Sequence, residues 1–149
     1  MTIKTIAIGS DHAGFELKET VKKYLLSKNI DVKDFGPHTD ERTDYPDYAH
    51  PVANFVEQDK TNQTFGILIC GSGNGINMTA NKHQGIRSAL CWMPEIAELA
   101  RLHNNANILV LPARYISNEE ALKCVDVFFS TNFEGGRHTE RVNKIRCSD

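Results

Sequence analysis

The chain has 149 residues, 17 basic and 19 acidic side chains and a formal net charge of −2, with 40% hydrophobic and 24% charged residues. That length predicts one domain, and the composition excludes collagenous, coiled-coil and disordered chains. The balanced charge excludes the broad basic footprint of a dedicated nucleic-acid binder, and no apolar run approaches the ~18 residues of a membrane span. The N-terminus enters a strand-like pattern at once, without the apolar core and cleavage site of an export signal, so a cytoplasmic location is expected.

In chain order, β-branched apolar runs at Ile3–Ile8, Ile30–Phe35, Phe65–Cys70, Ile86–Cys91 and Asn107–Leu111 predict strands. After the first run, Leu17, Val21, Tyr24 and Leu25 form a helical stripe, leaving Lys18, Lys22 and Lys23 to face water. A polar stretch from Gly36 to Asp47 and a helix around Val52–Asp59 precede the third run. After the fourth run, Pro94 opens a helix with a stripe of Ile96, Ala97 and Ala100. After the fifth, Leu122, Val125 and Phe129 do the same behind a cap at Ser117 or Asn118. The stretch 132–149 carries Arg137, Arg141, Lys144 and Arg146, with Val142 and Ile145 to dock it as a last helix. Alternating strands and helices predict parallel strands with right-handed crossovers. The expected fold is an α/β three-layer, Rossmann-like sandwich on a five-stranded parallel sheet, whose ligands bind beyond the carboxyl ends of the strands.

Four segments carry side chains suited to chemistry. Asp11 and His12, in Gly9-Ser10-Asp11-His12-Ala13-Gly14, sit at a strand-to-helix turn, where they enter the ligand crevice, unless Ser10 or Asp11 simply caps the helix. Cys70 leads into Gly71-Ser72-Gly73-Asn74-Gly75, whose successive amides can form a nest for negative charge. That loop is neither a P-loop nor a dinucleotide fingerprint, so nucleotide binding is disfavoured. A thiol beside such a nest is expected to have a lowered pKa and to serve as base or nucleophile, unless it is a plain strand-end cysteine. His103 closes the fourth helix, where the backbone dipole favours an imidazolium and hence a proton donor, or it simply packs there. Arg137 and Arg141, one helical turn apart, with Arg114 beyond the fifth strand, either grip a phosphate or form a solvated basic face. No Cys or His spacing gives a local metal motif or a disulfide framework.

Over essentially the whole chain these segments resemble the sugar-phosphate isomerases of the ribose-5-phosphate isomerase B type and their galactose-6-phosphate isomerase relatives. The resemblance rests on Gly9-Ser10-Asp11-His12-Ala13-Gly14-Phe15, Arg42-Thr43-Asp44-Tyr45-Pro46 and Ile69-Cys70-Gly71-Ser72-Gly73-Asn74-Gly75. It extends to His103-Asn104 with Asn107, and to Glu134-Gly135-Gly136-Arg137-His138 with Arg141. It implies an aldose–ketose isomerase that interconverts ribose 5-phosphate and ribulose 5-phosphate in the pentose phosphate pathway, with no metal or nucleotide cofactor. Cys70 would be the base between C1 and C2, and Ser72 with the amides of Gly71, Gly73, Asn74 and Gly75 would stabilise the enediolate. His103 would open the furanose ring, and Asp11, Tyr45 and Asn104 would hold the sugar. Arg137, Arg141, Arg114 and His12 would bind the phosphate. Ile76 stands where another branch of the family has a glutamate, which places the chain with the cysteine branch. The wording around Cys91-Trp92-Met93-Pro94 departs from the commoner pattern and leaves a six-carbon 6-phosphate (allose or galactose) as the alternative substrate. The resemblance further implies a homodimer or a tetramer with sites shared between subunits, in which His103, Asn104 and Arg114 face a partner's Cys70.

Overall fold

The computed structural model describes residues 1–148. Its elements are β1 (Thr5–Ser10), α1 (Phe15–Ser27), β2 (Val32–Asp34), α2 (Pro46–Gln58), β3 (Thr64–Cys70), α3 (Asn74–Ala80), β4 (Ser88–Leu90), α4 (Pro94–Asn104), β5 (Ile108–Pro112), α5 (Asn118–Ser130) and α6 (Arg137–Asn143). All strand pairs are parallel, in the order β2-β1-β3-β5-β4. The strand order reverses between β1 and β3, and Asp11 and Cys70 stand at the carboxyl ends of those two strands, where such sheets open a ligand crevice.

Alternation along the central strands divides the interior in two. Ile6, Ile8, Ile67, Ile69, Leu109 and Leu111 face α1, α4 and α5. Ala7, Leu68, Cys70, Ile108 and Val110 face α2 and α3. β1, β3 and β5 are buried throughout, as strands covered by helices on both faces must be. The edge strands β2 and β4 are only half-buried, and each regular strand is shorter than its apolar run. Edge strands have one pairing neighbour, so the ends of their runs belong to the turns.

Several local expectations are corrected. Lys18 does not face water: its side chain is 0% exposed and its ammonium lies 2.8 Å from an Asp34 carboxylate oxygen, with Glu19 at 3.0 Å. Charge pairing across α1 and β2 overrides the polar-out rule of periodicity. In α5 the buried stripe is Ala121, Cys124, Val125 and Phe128, one residue out of phase with the predicted one, while Leu122 and Phe129 are half-buried. Ser117 caps α5, its Oγ accepting from the Glu120 amide at 3.1 Å. α2 begins at Pro46 and runs through Pro51, its buried Ala49, Val52, Ala53 and Val56 holding it to the sheet despite the missing donor. α3 starts inside the glycine-rich segment, which the sequence pattern reads as loop. In the C-terminal stretch 132–149, whose last residue lies outside the described residues, α6 forms, but Ile145 is exposed and the buried residue is His138.

Among the described residues no helix is long and apolar enough to cross a membrane. Cys70, Cys91, Cys124 and Cys147 are free thiols, and burial pushes Cys91 up to about 12 and Cys124 up to about 11.

Candidate active site

The first group of side chains gathers at the carboxyl ends of β1 and β3. Asp11 is buried; its backbone N–H donates to the Ile69 carbonyl at 3.2 Å and its Oδ1 accepts from the Gly14 amide at 3.0 Å. It therefore braces the entry turn of α1 through one oxygen, so the capping role is real and leaves Oδ2 for other partners. Gly14 is required by contact: a Cβ there would lie 2.5 Å from the Ile69 carbonyl oxygen. His12 Nδ1 lies 3.2 Å from both the amide and the carbonyl of Thr43. If Nδ1 accepts from that amide, the proton resides on Nε2, which is then the donor free for an anion.

Cys70 is 5% exposed, on the α2/α3 face of the sheet. The amides of Ile76, Gly73 and Gly75 are directed at its sulfur, as the nest predicts, yet the net effect opposes the expectation of a lowered pKa. Burial pushes the thiol above its ordinary value, and the negative charge of Asp11 adds to that, outweighing the amides. Ser72 is exposed, and its Oγ accepts from the Asn74 amide at 3.3 Å, which tightens the loop. Tyr45, the residue before α2, lies over the loop: a Cβ on Gly75 would be 2.8 Å from its hydroxyl oxygen. Arg114 corrects an expectation. Its amide donates to the Gly71 carbonyl at 3.0 Å, and its Nη1 would be 3.3 Å from a Cβ on Gly71, so it stands beside the Cys70 loop of its own chain.

The second group lies elsewhere. α4 runs back along the sheet, and His103 and Asn104 form its last turn, just before β5 begins. Cys70 is paired with Pro112 at the other end of β5, four strand residues beyond Ile108, a rise of about 13 Å. α4 packs on the α1/α5 face, whereas Cys70 points to the opposite face. His103 and Cys70 of one chain thus differ in both end and face. Around His103, Glu134 is tied to α4 by its amide, which donates to the Leu102 carbonyl at 3.1 Å. The His103 and His138 rings stack at 4.3 Å between centroids. Arg137 and Arg141 follow on α6, both exposed. Among the described residues, no hydrogen bond or ion pair links the two groups.

Three residues beyond the expected site set belong to these groups. Thr43 orients His12, while Glu134 and His138 surround His103. The i,i+4 spacing of Glu134 and His138 is a visible signal of their pairing; Thr43 has none, because it meets His12 across 31 residues.

A model of the ribose/galactose isomerase family matches residues 6–145. The chain belongs to this family. Within the family it is 43% identical to ribose-5-phosphate isomerase B of Escherichia coli, across 96% of this chain and 95% of that protein. Among solved structures, a ribose 5-phosphate isomerase of Thermotoga maritima is 55% identical with a TM-score of 0.90, covering 95% of this chain and 97% of that one. Ribose-5-phosphate isomerase B of Mycoplasma genitalium, solved with bound ribulose-5-phosphate, is 44% identical with a TM-score of 0.92, over 97% of this chain and 95% of that one. The five-stranded parallel sandwich is thus the fold of this isomerase family.

Proposed function

We propose that this isomerase-family chain interconverts D-ribose 5-phosphate and D-ribulose 5-phosphate through an enediolate. One observation carries the reading: a buried cysteine at a strand end, leading into a glycine-rich loop whose amides at Gly73, Gly75 and Ile76 partly offset the burial of its thiolate, in a chain 44% identical to a relative that binds ribulose-5-phosphate. Cys70, as thiolate, takes the proton from C2 of the open aldose and returns it to C1. The developing oxyanion meets the loop amides and Ser72, donors already oriented before charge appears. Asp11 and Tyr45 hold the sugar hydroxyls, and His12 and Arg114 meet the phosphate from the same chain.

His103 donates the proton that opens the furanose ring, Asn104 holds the sugar, and Arg137 and Arg141 complete the phosphate grip. These groups come from a second subunit. Topology supports this, since His103 and Cys70 of one chain stand at opposite ends and on opposite faces of the sheet. Two concavities among the described residues, of about 570 and 530 Å3, do not involve Cys70; the first is lined by residues at the amino ends of the strands, among them Thr64, Arg87 and Asn107. Exposed Trp92, Met93, Leu99 and Tyr115 offer apolar surface to a second copy. The unit is thus a homodimer, or a tetramer of such pairs, acting on a sugar phosphate. Residues 1–149 act as one domain, with 132–149 as its phosphate-binding tail. Four free thiols, three of them buried, fit a reducing cytoplasm.

The test is proton exchange. With ribose 5-phosphate in deuterated water, the wild type should incorporate deuterium at the exchanging carbon. Cys70→Ala should abolish incorporation while retaining affinity for a phosphate analogue, and continued turnover by that variant would sink the base assignment.

A further inference from the structure

His103, Glu134 and His138 converge from three segments: the last turn of α4, the loop after α5 and the first turn of α6. A Glu134 carboxylate oxygen lies 3.8 Å from His103 Nε2 and 3.6 Å from His138 Nε2, and one ligand atom from each residue falls within 4.8 Å of the others. The His138 side chain is 8% exposed, and its Nε2 has no hydrogen-bond partner. Buried polar atoms are nearly always hydrogen-bonded, so a buried nitrogen held only by a 3.6 Å ion-pair contact to a carboxylate, beside a second imidazole, has room for a further partner.

The chemistry of the three atoms selects that partner. Two imidazole nitrogens and one carboxylate oxygen suit zinc and similar transition metals, whereas calcium and magnesium require oxygen sets. With bonds of about 2.0–2.2 Å, tetrahedral ligands stand about 3.4 Å apart. The distances of 3.6 and 3.8 Å to the carboxylate oxygen are already close to that; because an imidazole lone pair lies in the ring plane, at least one of the two rings, now stacked at 17°, must turn out of the stack to bring in the remaining edge. Three protein ligands leave a fourth position for water. Arg137 and Arg141 lie on the same helix as His138. The two arginines repel a cation, which sets the site below the affinity of a dedicated structural zinc centre.

We propose that His103, Glu134 and His138 form an inhibitory site for a divalent transition-metal ion of the zinc class. Occupancy silences the isomerase because the metal takes the His103 nitrogen whose proton opens the sugar ring. The inhibitory part rests on the role given to His103 above; the metal site itself does not. Coordination forms a bond from the His103 nitrogen lone pair to the metal and involves no redox change. Sugar and metal compete for the same nitrogen, so inhibition is competitive with ribose 5-phosphate and is reversed by a chelator.

The test uses the full-length protein in its native assembly. Zinc affinity is measured by competition with a chromophoric chelator, and cobalt(II) reports ligand type through its visible spectrum. The expected result is one metal per chain, a four-coordinate cobalt spectrum without a thiolate charge-transfer band, and affinity at least about tenfold weaker in both His138→Gln and Glu134→Gln. Glu134 is exposed, so its variant keeps the test alive should His138→Gln misfold. Unchanged affinity in the folded variants, or loss of binding in Cys70→Ser, overturns the site. Binding that is lost in both variants while zinc leaves wild-type turnover intact would uphold the metal site and refute the ring-opening role of His103.

Discussion

Gly14→Ala is a severe test of how the site is positioned, because the added methyl carbon meets backbone. A Cβ at this position would lie 2.5 Å from the Ile69 carbonyl oxygen and 2.8 Å from its carbonyl carbon. A carbon and a carbonyl oxygen normally approach no closer than about 3.3 Å, so α1 and β3 must separate by about 0.8 Å. Overpacking of this kind costs about 1–3 kcal/mol, which for a chain of this size lowers the Tm by roughly 3–10 °C. The functional loss is larger than the stability loss. Ile69 precedes Cys70, and its carbonyl also accepts from the Asp11 amide, so both site residues move with it. A misplacement near 1 Å costs about a hundredfold in rate, so kcat should fall about ten- to a hundredfold. The assay is steady-state isomerisation of ribose 5-phosphate well below the Tm, beside thermal unfolding. Trimming the neighbouring side chain with Ile69→Ala should not rescue the variant, because the obstacle is the carbonyl. A kcat within about twofold of wild type would refute the reasoning.

Two further predictions follow from the charged groups. Because burial and the Asp11 charge hold the Cys70 thiol above its ordinary value, the thiolate base is a minor species at neutral pH. kcat/KM should therefore climb by about tenfold per pH unit on its limiting limb into the alkaline range, and a profile already flat at neutral pH contradicts this. Asp34→Ala strands the fully buried Lys18 with Glu19 alone, at a cost of about 3 kcal/mol and a Tm lower by roughly 6–12 °C, read by thermal unfolding. In the wild type, burial raises the Asp34 carboxyl, but Lys18, Lys22 and the Gly36 amide outweigh it, leaving the group below its ordinary value. The Asp34 contribution is thus fully present above the usual aspartate range and is lost as pH falls below that range, through the lowered native value.

The sandwich was legible because β1, β3 and β5 are continuous apolar runs buried on both faces, and α1 shows its stripe at Leu17, Val21 and Leu25. The phase of α5 was not, because Leu122 and Phe129 are as apolar as the Ala121 and Phe128 that the sheet actually covers. Lys18 escaped detection for a related reason: periodicity reads a lysine as solvent-facing, and only the crossover of α1 past β2 brings Asp34 to it. At the site, Asp11 and Cys70 could be assigned to one crevice because strand ends are predictable. The direction of the Cys70 shift could not, since it depends on how deeply α3 and β3 bury the sulfur. Topology, with α4 returning down the sheet, separates His103 from Cys70 and keeps Arg114 with the Cys70 loop.

A site assembled from two chains is the central claim, and subunit complementation tests it most directly. Cys70→Ala and His103→Asn are each expected to be inactive as homo-oligomers. In a mixed dimer, one site carries both substitutions and the other carries neither. After co-refolding at equal amounts, random pairing makes half the dimers mixed, so activity should return to about one quarter of wild type. If the mixture stays as inactive as its parents although mixed dimers are demonstrably present, Cys70 and His103 must act within one chain, and the shared site is wrong.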